Sequence, residues 1–271
     1  MIEILKKSKG TPNQFPGWTA LDDELTEQKP NILLEIKNRK GQTVAQVQGE
    51  YKKGLNTLVW DLTSKKAIST KVNTGKNYQD ITSNVPAGNY SLTLYKNESG
   101  ILTKLGQTQN LVVEQIRKGT LTNPLAKEHA AYFDKLAELT KAISISTHEF
   151  GKANAKLKTY QKNLTYVTQE REKLTKKVYE LIEQMNELQL DLYGSEAKKK
   201  IGEKTNPSLE SYLWRARGSN NSYGPTQLHM ENYDIAYTLF GKIAPKLSFY
   251  IEEIEKLGPL FEKNGAPLIL E

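Results

Sequence analysis

The stretch from Leu125 to Leu192 sets what this chain can fold into, because apolar side chains recur along it at alternating steps of four and three residues. The count passes through Leu125, His129, Tyr132, Leu136, Leu139, Ile143, Ser146, Phe150, Ala153, Leu157, Tyr160, Leu164 and Val167. It continues past Arg171 to Leu174, Val178, Leu181, Met185, Leu188 and Leu192. A mean spacing of about 3.5 residues keeps one apolar seam on one side of an α-helix, the pattern of helices packed side by side. The positions between are mostly Lys, Glu, Gln, Asn and Thr, which leaves the other faces to solvent.

One unbroken helix of that length would need a partner chain to cover its seam. The sequence offers a break instead. Asn163 to Thr168 gathers β-branched and capping residues, and Thr168 followed by Gln169, Glu170 and Glu172 reads as a new helix start with carboxylates placed for the helix dipole. Asn123-Pro124 starts the first helix, a capping side chain followed by Pro where the missing N–H costs nothing. Gly194 stops the second. In the long connection 195–225, Asn206-Pro207-Ser208-Leu209 opens a short helix through Ala216 that Gly218 closes, and Thr226 caps the last long helix. Its seam reads Tyr233, Ala236, Phe240, Ile243, Leu247, Tyr250, Ile254, Leu257 and Phe261, with Pro245 expected to kink it. These segments predict an antiparallel three-helix bundle over 123–266.

Upstream the period changes to two. Ile32, Leu34 and Ile36 alternate with Leu33, Glu35 and Lys37, and the turn Asn38-Arg39-Lys40-Gly41 leads to a second strand from Val44. A third strand is expected over Leu55–Asp61, then a polar loop over Thr63–Ser83, then a strand over Tyr90–Tyr95. Ile101–Leu105 and Thr108–Glu114 read as a last pair around a turn at Gly106. Short strands with Gly- and Pro-rich turns predict an antiparallel β-sandwich over 31–117. Residues 1–30 read as an irregular lead-in, with Trp18 its anchor and Leu21–Gln28 about one helical turn at most. The expected class is α+β in two domains.

Composition narrows the function classes. A length of 271 residues suits one large domain or two ordinary ones, and 37% hydrophobic residues support real cores. The net charge of +7 comes from Lys spread along helix faces, a solvated surface rather than a nucleic-acid footprint; Lys198-Lys199-Lys200 is too short a run to change that. The absence of Cys excludes disulfides and thiolate metal sites. No apolar run approaches the roughly 20 residues of a membrane span. Met1 to Lys7 lacks the basic-then-apolar order of a secretory signal, so the chain either stays inside the cell or is an internal piece of something longer.

Two segments, Gly54-Leu55-Asn56-Thr57-Leu58-Val59-Trp60-Asp61-Leu62 and Val85-Pro86-Ala87-Gly88-Asn89-Tyr90, are similar to those of fibronectin-type and Ig-like modules. Around them stand Pro16-Gly17-Trp18, Asp22-Asp23-Glu24 and Pro30-Asn31-Ile32-Leu33-Leu34 before, and Tyr223-Gly224-Pro225-Thr226 and Gly265-Ala266-Pro267 after. That order resembles the C-terminal region of bacterial sortilin-like β-propeller proteins with bacterial-neuraminidase-type repeats, often labelled glycosyl hydrolases. The resemblance covers nearly the whole chain but only that tail, and none of the propeller repeats is present. It implies a parent exported to the periplasm or beyond, an upstream propeller as partner in the same chain, and a non-catalytic accessory role in domain packing or in protein or glycan interaction. Thr63 stands where the family usually has Arg, and Leu268-Ile269 where an aromatic and Thr often follow.

Asp61, beside Trp60, is the most tempting acid, but two-carboxylate glycosidase chemistry needs a second acid about 5–9.5 Å away, and nothing places Asp22, Asp23 or Glu24 there. His129 and His229 could meet if their helices align, yet two His without a third ligand make a weak metal case, and His148 lies off the seam. No catalytic residue, metal ligand or cofactor follows from these patterns. The candidate contact patch is Tyr212, Trp214, Arg215 and Arg217 with Tyr223 beyond, residue types that concentrate at binding hot spots; the alternative is that Leu209, Leu213 and Trp214 plug one end of the bundle. The expected protein is a monomer with no nucleic acid partner and no membrane span. A stand-alone carbohydrate-binding module, using Trp18, Trp60 and Tyr95, or a fragment of a glycoside hydrolase, are the competing readings.

Overall fold

The computed structural model describes residues 17–26, 28–66, 68, 80–116, 128–218 and 224–267. In chain order its elements are α1 (Trp18–Thr26), β1 (Asn31–Asn38), β2 (Thr43–Glu50), β3 (Thr63–Lys66), β4 (Ile81–Asn84), β5 (Gly88–Glu98) and β6 (Ile101–Val113). The helices α2 (His129–Asn163), α3 (Arg171–Tyr193), α4 (Glu196–Lys200), α5 (Leu209–Arg217), α6 (Gln227–Glu255) and α7 (Leu257–Lys263) follow. The fold is thus mixed α and β: a four-stranded antiparallel sheet, a two-stranded sheet, then helices. It divides into two compact units, Met1–Ser64 with Val85–Lys118, and Lys65–Asn84 with Gly119–Glu271. Residues 65–84, which the sequence reading leaves inside the β region, group with the helices.

In the first unit the four-stranded order is β2-β1-β5-β6. Ile36 faces Ala45 on one side and Leu92 on the other, and Leu34 faces Val47 and Leu94. Residues directly opposite share a face, so the period-two pattern collects these side chains on one side, where Ile36, Ala45 and Tyr90 are buried. Trp60 and Val85 pack against that cluster. The other side carries Glu35, Thr93 and Tyr95.

Several expectations change: the lead-in read as irregular, with one helical turn at most, carries the nine-residue α1, and the loop expected over Thr63–Ser83 carries β3 and the start of β4. Leu55–Asp61 forms no strand, yet its alternation survives in burial: Leu58 and Trp60 are half-buried, while Leu55 and Val59 are exposed. Leu58 lies so close over Gly49 that a Cβ there would collide with its δ-methyl. Gly106 is not a turn, because β6 runs through it at φ +71, with the β5–β6 register shifting between Leu92 and Leu94. The turn is Ser99-Gly100, both at positive φ, the two-residue connection that suits the twist of a hairpin. Trp18 does not become a buried anchor either; it opens α1 and is 74% exposed.

In the second unit the long helices α2, α3 and α6 pack pairwise on one another. The seam residues Leu136, Ile143, Phe150, Leu157, Leu181 and Leu247 all lie in one buried cluster, which also takes in Ile68 and Ile81. The chain reverses between Asn163 and Arg171, as the capping residues predict. Thr168 is not the cap, however. Its N–H and its hydroxyl both donate to the carbonyl of Asn264, at 3.0 and 3.1 Å, and Glu170 precedes α3 in the left-handed conformation. Tyr132 reaches His229 at one end, and Lys156 pairs with Glu255 at the other, so α2 and α6 run the same way. Lys177 near the start of α3 pairs with Glu253, and Tyr193 at its end meets Phe150, so α3 runs opposite to both.

At 23 residues α3 is too short to match the 35 of α2. Helix α5 takes over beside the N-terminal half, burying Leu209, Leu213 and Ala216. These sit at i, i+4 and i+7, one face of the helix. Gly218 closes α5 as the sequence predicts, and within the opening Asn206-Pro207-Ser208-Leu209 it is Ser208 that caps the helix. Helix α6 contains Pro245 and runs on to Glu255, with Lys256 between it and α7. The expected start at Asn123-Pro124 lies outside the described residues.

Candidate functional site

The patch predicted on α5 is divided by helical geometry. With 100° between successive residues, Tyr212 flanks one side of the buried face, whereas Trp214 and Arg215 both lie on the exposed side. Arg215 stacks on Tyr212, its guanidinium carbon 5.8 Å from the ring centre. Trp214 is 75% exposed, so it plugs nothing; Ala216 takes the place in the core that Trp214 was expected to share with Leu209 and Leu213. Arg217 is half-buried and engaged at the end of the helix. Tyr223 lies outside the described residues.

Beneath the patch, polar groups converge that the sequence reading assigns only to packing. The buried Tyr132 hydroxyl donates to the carbonyl of Ala216 at 2.6 Å and lies 3.0 Å from that of His229. It thereby satisfies a carbonyl left open in the last turn of α5 and ties α2, α5 and α6 together. Burial pushes its ionisation far above the ordinary tyrosine value, so it stays a donor. His229 closes the N-terminus of α6 as a capping box: its N–H donates to Thr226 Oγ1, and its Nδ1 accepts from the Thr226 N–H at 3.2 Å. Gly218, at φ +64, lies against the imidazole so closely that a Cβ there would come within 2.5 Å of the ring. His129 packs edge-on against Phe133. The sequence places both histidines at this end of the helices, but among the described residues no three His, Asp or Glu side chains gather as a metal site would require.

Burial lowers the pKa of His229 and of His129. A group whose folded pKa is depressed binds its proton more readily in the unfolded chain, so its contribution to stability is complete above the unfolded value of about 6.5. That contribution shrinks as pH falls from there through the lower folded values. The melting temperature should therefore drop between about pH 7 and about pH 5. His229→Gln, which keeps a side-chain acceptor for the Thr226 N–H without titrating, should show a smaller drop in thermal melts; an identical drop would exclude His229 as its source.

In the first unit, Asp61 Oδ1 accepts from the Thr63 N–H at 3.1 Å and from Thr63 Oγ1 at 2.5 Å. Trp60 Nε1 donates to the Thr63 carbonyl at 2.9 Å, and the Val85 N–H donates to the Leu62 carbonyl at 2.9 Å. The Tyr90 hydroxyl donates to the Pro86 carbonyl at 2.6 Å, and the rings of Trp60 and Tyr90 meet edge to face at 5.6 Å. The two segments that carry the family resemblance thus close on each other as one corner. Of the three aromatics considered for a sugar platform, Trp60 and Tyr95 lie on opposite faces of the sheet. Trp60 packs on the apolar face of the sheet, Tyr95 stands opposite Leu33 on the other face, and Trp18 belongs to α1.

Among the described residues no helix is long and apolar enough to cross a membrane. No family model matches the chain, and neither a curated protein nor a solved structure matches it.

Proposed function

We propose that this chain is a non-catalytic accessory module from the C-terminal region of an exported β-propeller protein of the sortilin-like type, acting in domain packing or in protein or glycan interaction. In this reading the first unit is a fibronectin-type or Ig-like sandwich with a reduced second layer, and the helices form an antiparallel three-helix bundle. The parent is periplasmic or extracellular, and its propeller is the partner against which the module works. The observation that carries the reading is the engagement of Asp61. A carboxylate that accepts two hydrogen bonds from Thr63 is holding a turn. The Tyr90 bond back to Pro86 supports the sandwich kinship, because a tyrosine bonding to backbone a few residues upstream is a recurring corner of such modules. Exposed Trp214 and the Arg215–Tyr212 pair are the contact surface this function would use.

The test is a panel of aryl-glycosides and sialosides against the purified chain, with Asp61→Asn beside it. The chain should turn over none of them, and Asp61→Asn should lose about 1 kcal/mol of stability in urea titrations through its weakened turn. Turnover that disappears in Asp61→Asn would overturn the reading and make the first unit an active domain.

A further inference from the structure

A cleft of about 450 Å³ lies where the end of α3, the chain around α4 and the middle of α6 meet. Its apolar wall is Leu190 and Leu239, with the buried Ile243 behind them, and its charged lining is Lys198, Lys242, Lys246 and the single carboxylate Asp191. The sequence scatters these groups; the fold gathers them. Lys242 and Lys246 stand one turn apart on α6, a spacing at which like charges repel. Lys198 is brought in by α4. At other helix–helix contacts the lysines are neutralised: Lys156 pairs with Glu255 at 2.7 Å, and Lys177 and Lys256 share Glu253 at 3.0 and 2.7 Å. None of the ion pairs among the described residues includes Lys198, Lys242 or Lys246. Three cations against one anion leave two uncompensated positive charges on an apolar wall.

We propose that this cleft binds a small amphiphilic phosphomonoester, its dianionic head held by Lys198, Lys242 and Lys246 and its aliphatic part lying on Leu190 and Leu239. A phosphomonoester carries close to two negative charges at neutral pH, which matches the excess in the cleft, and lysine ammonium groups serve such a head as point charges. The aliphatic part follows from the wall, since an anion alone would leave Leu190, 52% exposed, and the half-buried Leu239 facing water.

The probe is hexyl phosphate, with inorganic phosphate, hexanoate and hexanol as comparisons, titrated into the isotope-labelled full chain and followed by amide chemical shifts. Hexyl phosphate should shift the amides around Leu190 and Leu239 saturably and bind about tenfold more tightly than inorganic phosphate or hexanol, because only it engages both wall and lysines. Hexanoate, with one charge, should fall between. The double variant Lys242→Gln, Lys246→Gln should weaken hexyl phosphate by about tenfold while its unperturbed spectrum stays that of the folded chain, since both side chains are exposed. Equal affinity in the double variant, hexanol binding as tightly as hexyl phosphate, shifts spread over lysines outside the cleft, or no saturable shift would each overturn the proposal.

Discussion

Replacing Leu157 by Ala should cost about 2–5 kcal/mol of stability, the range for truncating a fully buried Leu where neighbours cannot collapse into the space. Leu157 is 0% exposed in the middle of the seam, and it shares one continuous cluster with the apolar faces of α3 and α6. The comparison is Ile145→Ala in the same helix. Ile145 is 57% exposed, and Ala is the better helix former, so that change should stay within about 0.5 kcal/mol. Urea unfolding followed by helical circular dichroism separates the two. If both variants lost the same amount, the seam would not be the core of this unit.

The second large effect belongs to Phe261→Ala, at about 3–5 kcal/mol. Phe261 is 1% exposed, and its ring centre lies 4.8 Å from that of Tyr160. Its carbonyl accepts from the Ala266 N–H, and the carbonyl of nearby Asn264 accepts from the backbone and hydroxyl of Thr168. Losing the ring therefore loosens both α7 and the turn between α2 and α3. Phe261→Leu, which keeps most of the apolar volume, should cost less than about half as much. Thermal and urea unfolding of the two variants measure this, and a loss below about 1 kcal/mol for Phe261→Ala would show that the end of the chain is dispensable.

The helices were legible because one physical signal, the average step of 3.5, persists through Leu192 and depends on no distant partner. The reversal near Thr168 was legible too, although what holds it was not: the Thr168 bond to Asn264 joins residues 96 apart in the chain. In the sheet, alternation reported burial only in part and did not report pairing, for Leu33 and Thr93 on the face opposite Ile36 are buried too. Leu58 and Trp60 turn inward as their period requires, yet that segment forms no strand. Thr63-Ser64-Lys65-Lys66 carries no apolar alternation, so β3 left no trace. Gly106 misled because glycine permits both a turn and a bulge, and only the partner strand decides which. At the candidate patch, residue type drew notice to Arg215 and Trp214, but that both are exposed follows from which face Leu209 and Leu213 bury. The Tyr132 hydroxyl was invisible for a similar reason, since its acceptors belong to two other helices.

The third column of the helical unit is made of two pieces, α3 and then α5, laid end to end against α2 and α6. A single continuous helix there would project side chains into every gap along its neighbours. Two pieces cannot, because the chain must leave one, turn and re-enter as the other, and Leu190, Gly194, Asn206 and Pro207 border the space that this detour leaves open. The joint is a doorway made by topology, and its shape can be altered by lengthening or shortening the chain between Gly194 and Pro207 without touching the masonry on either side.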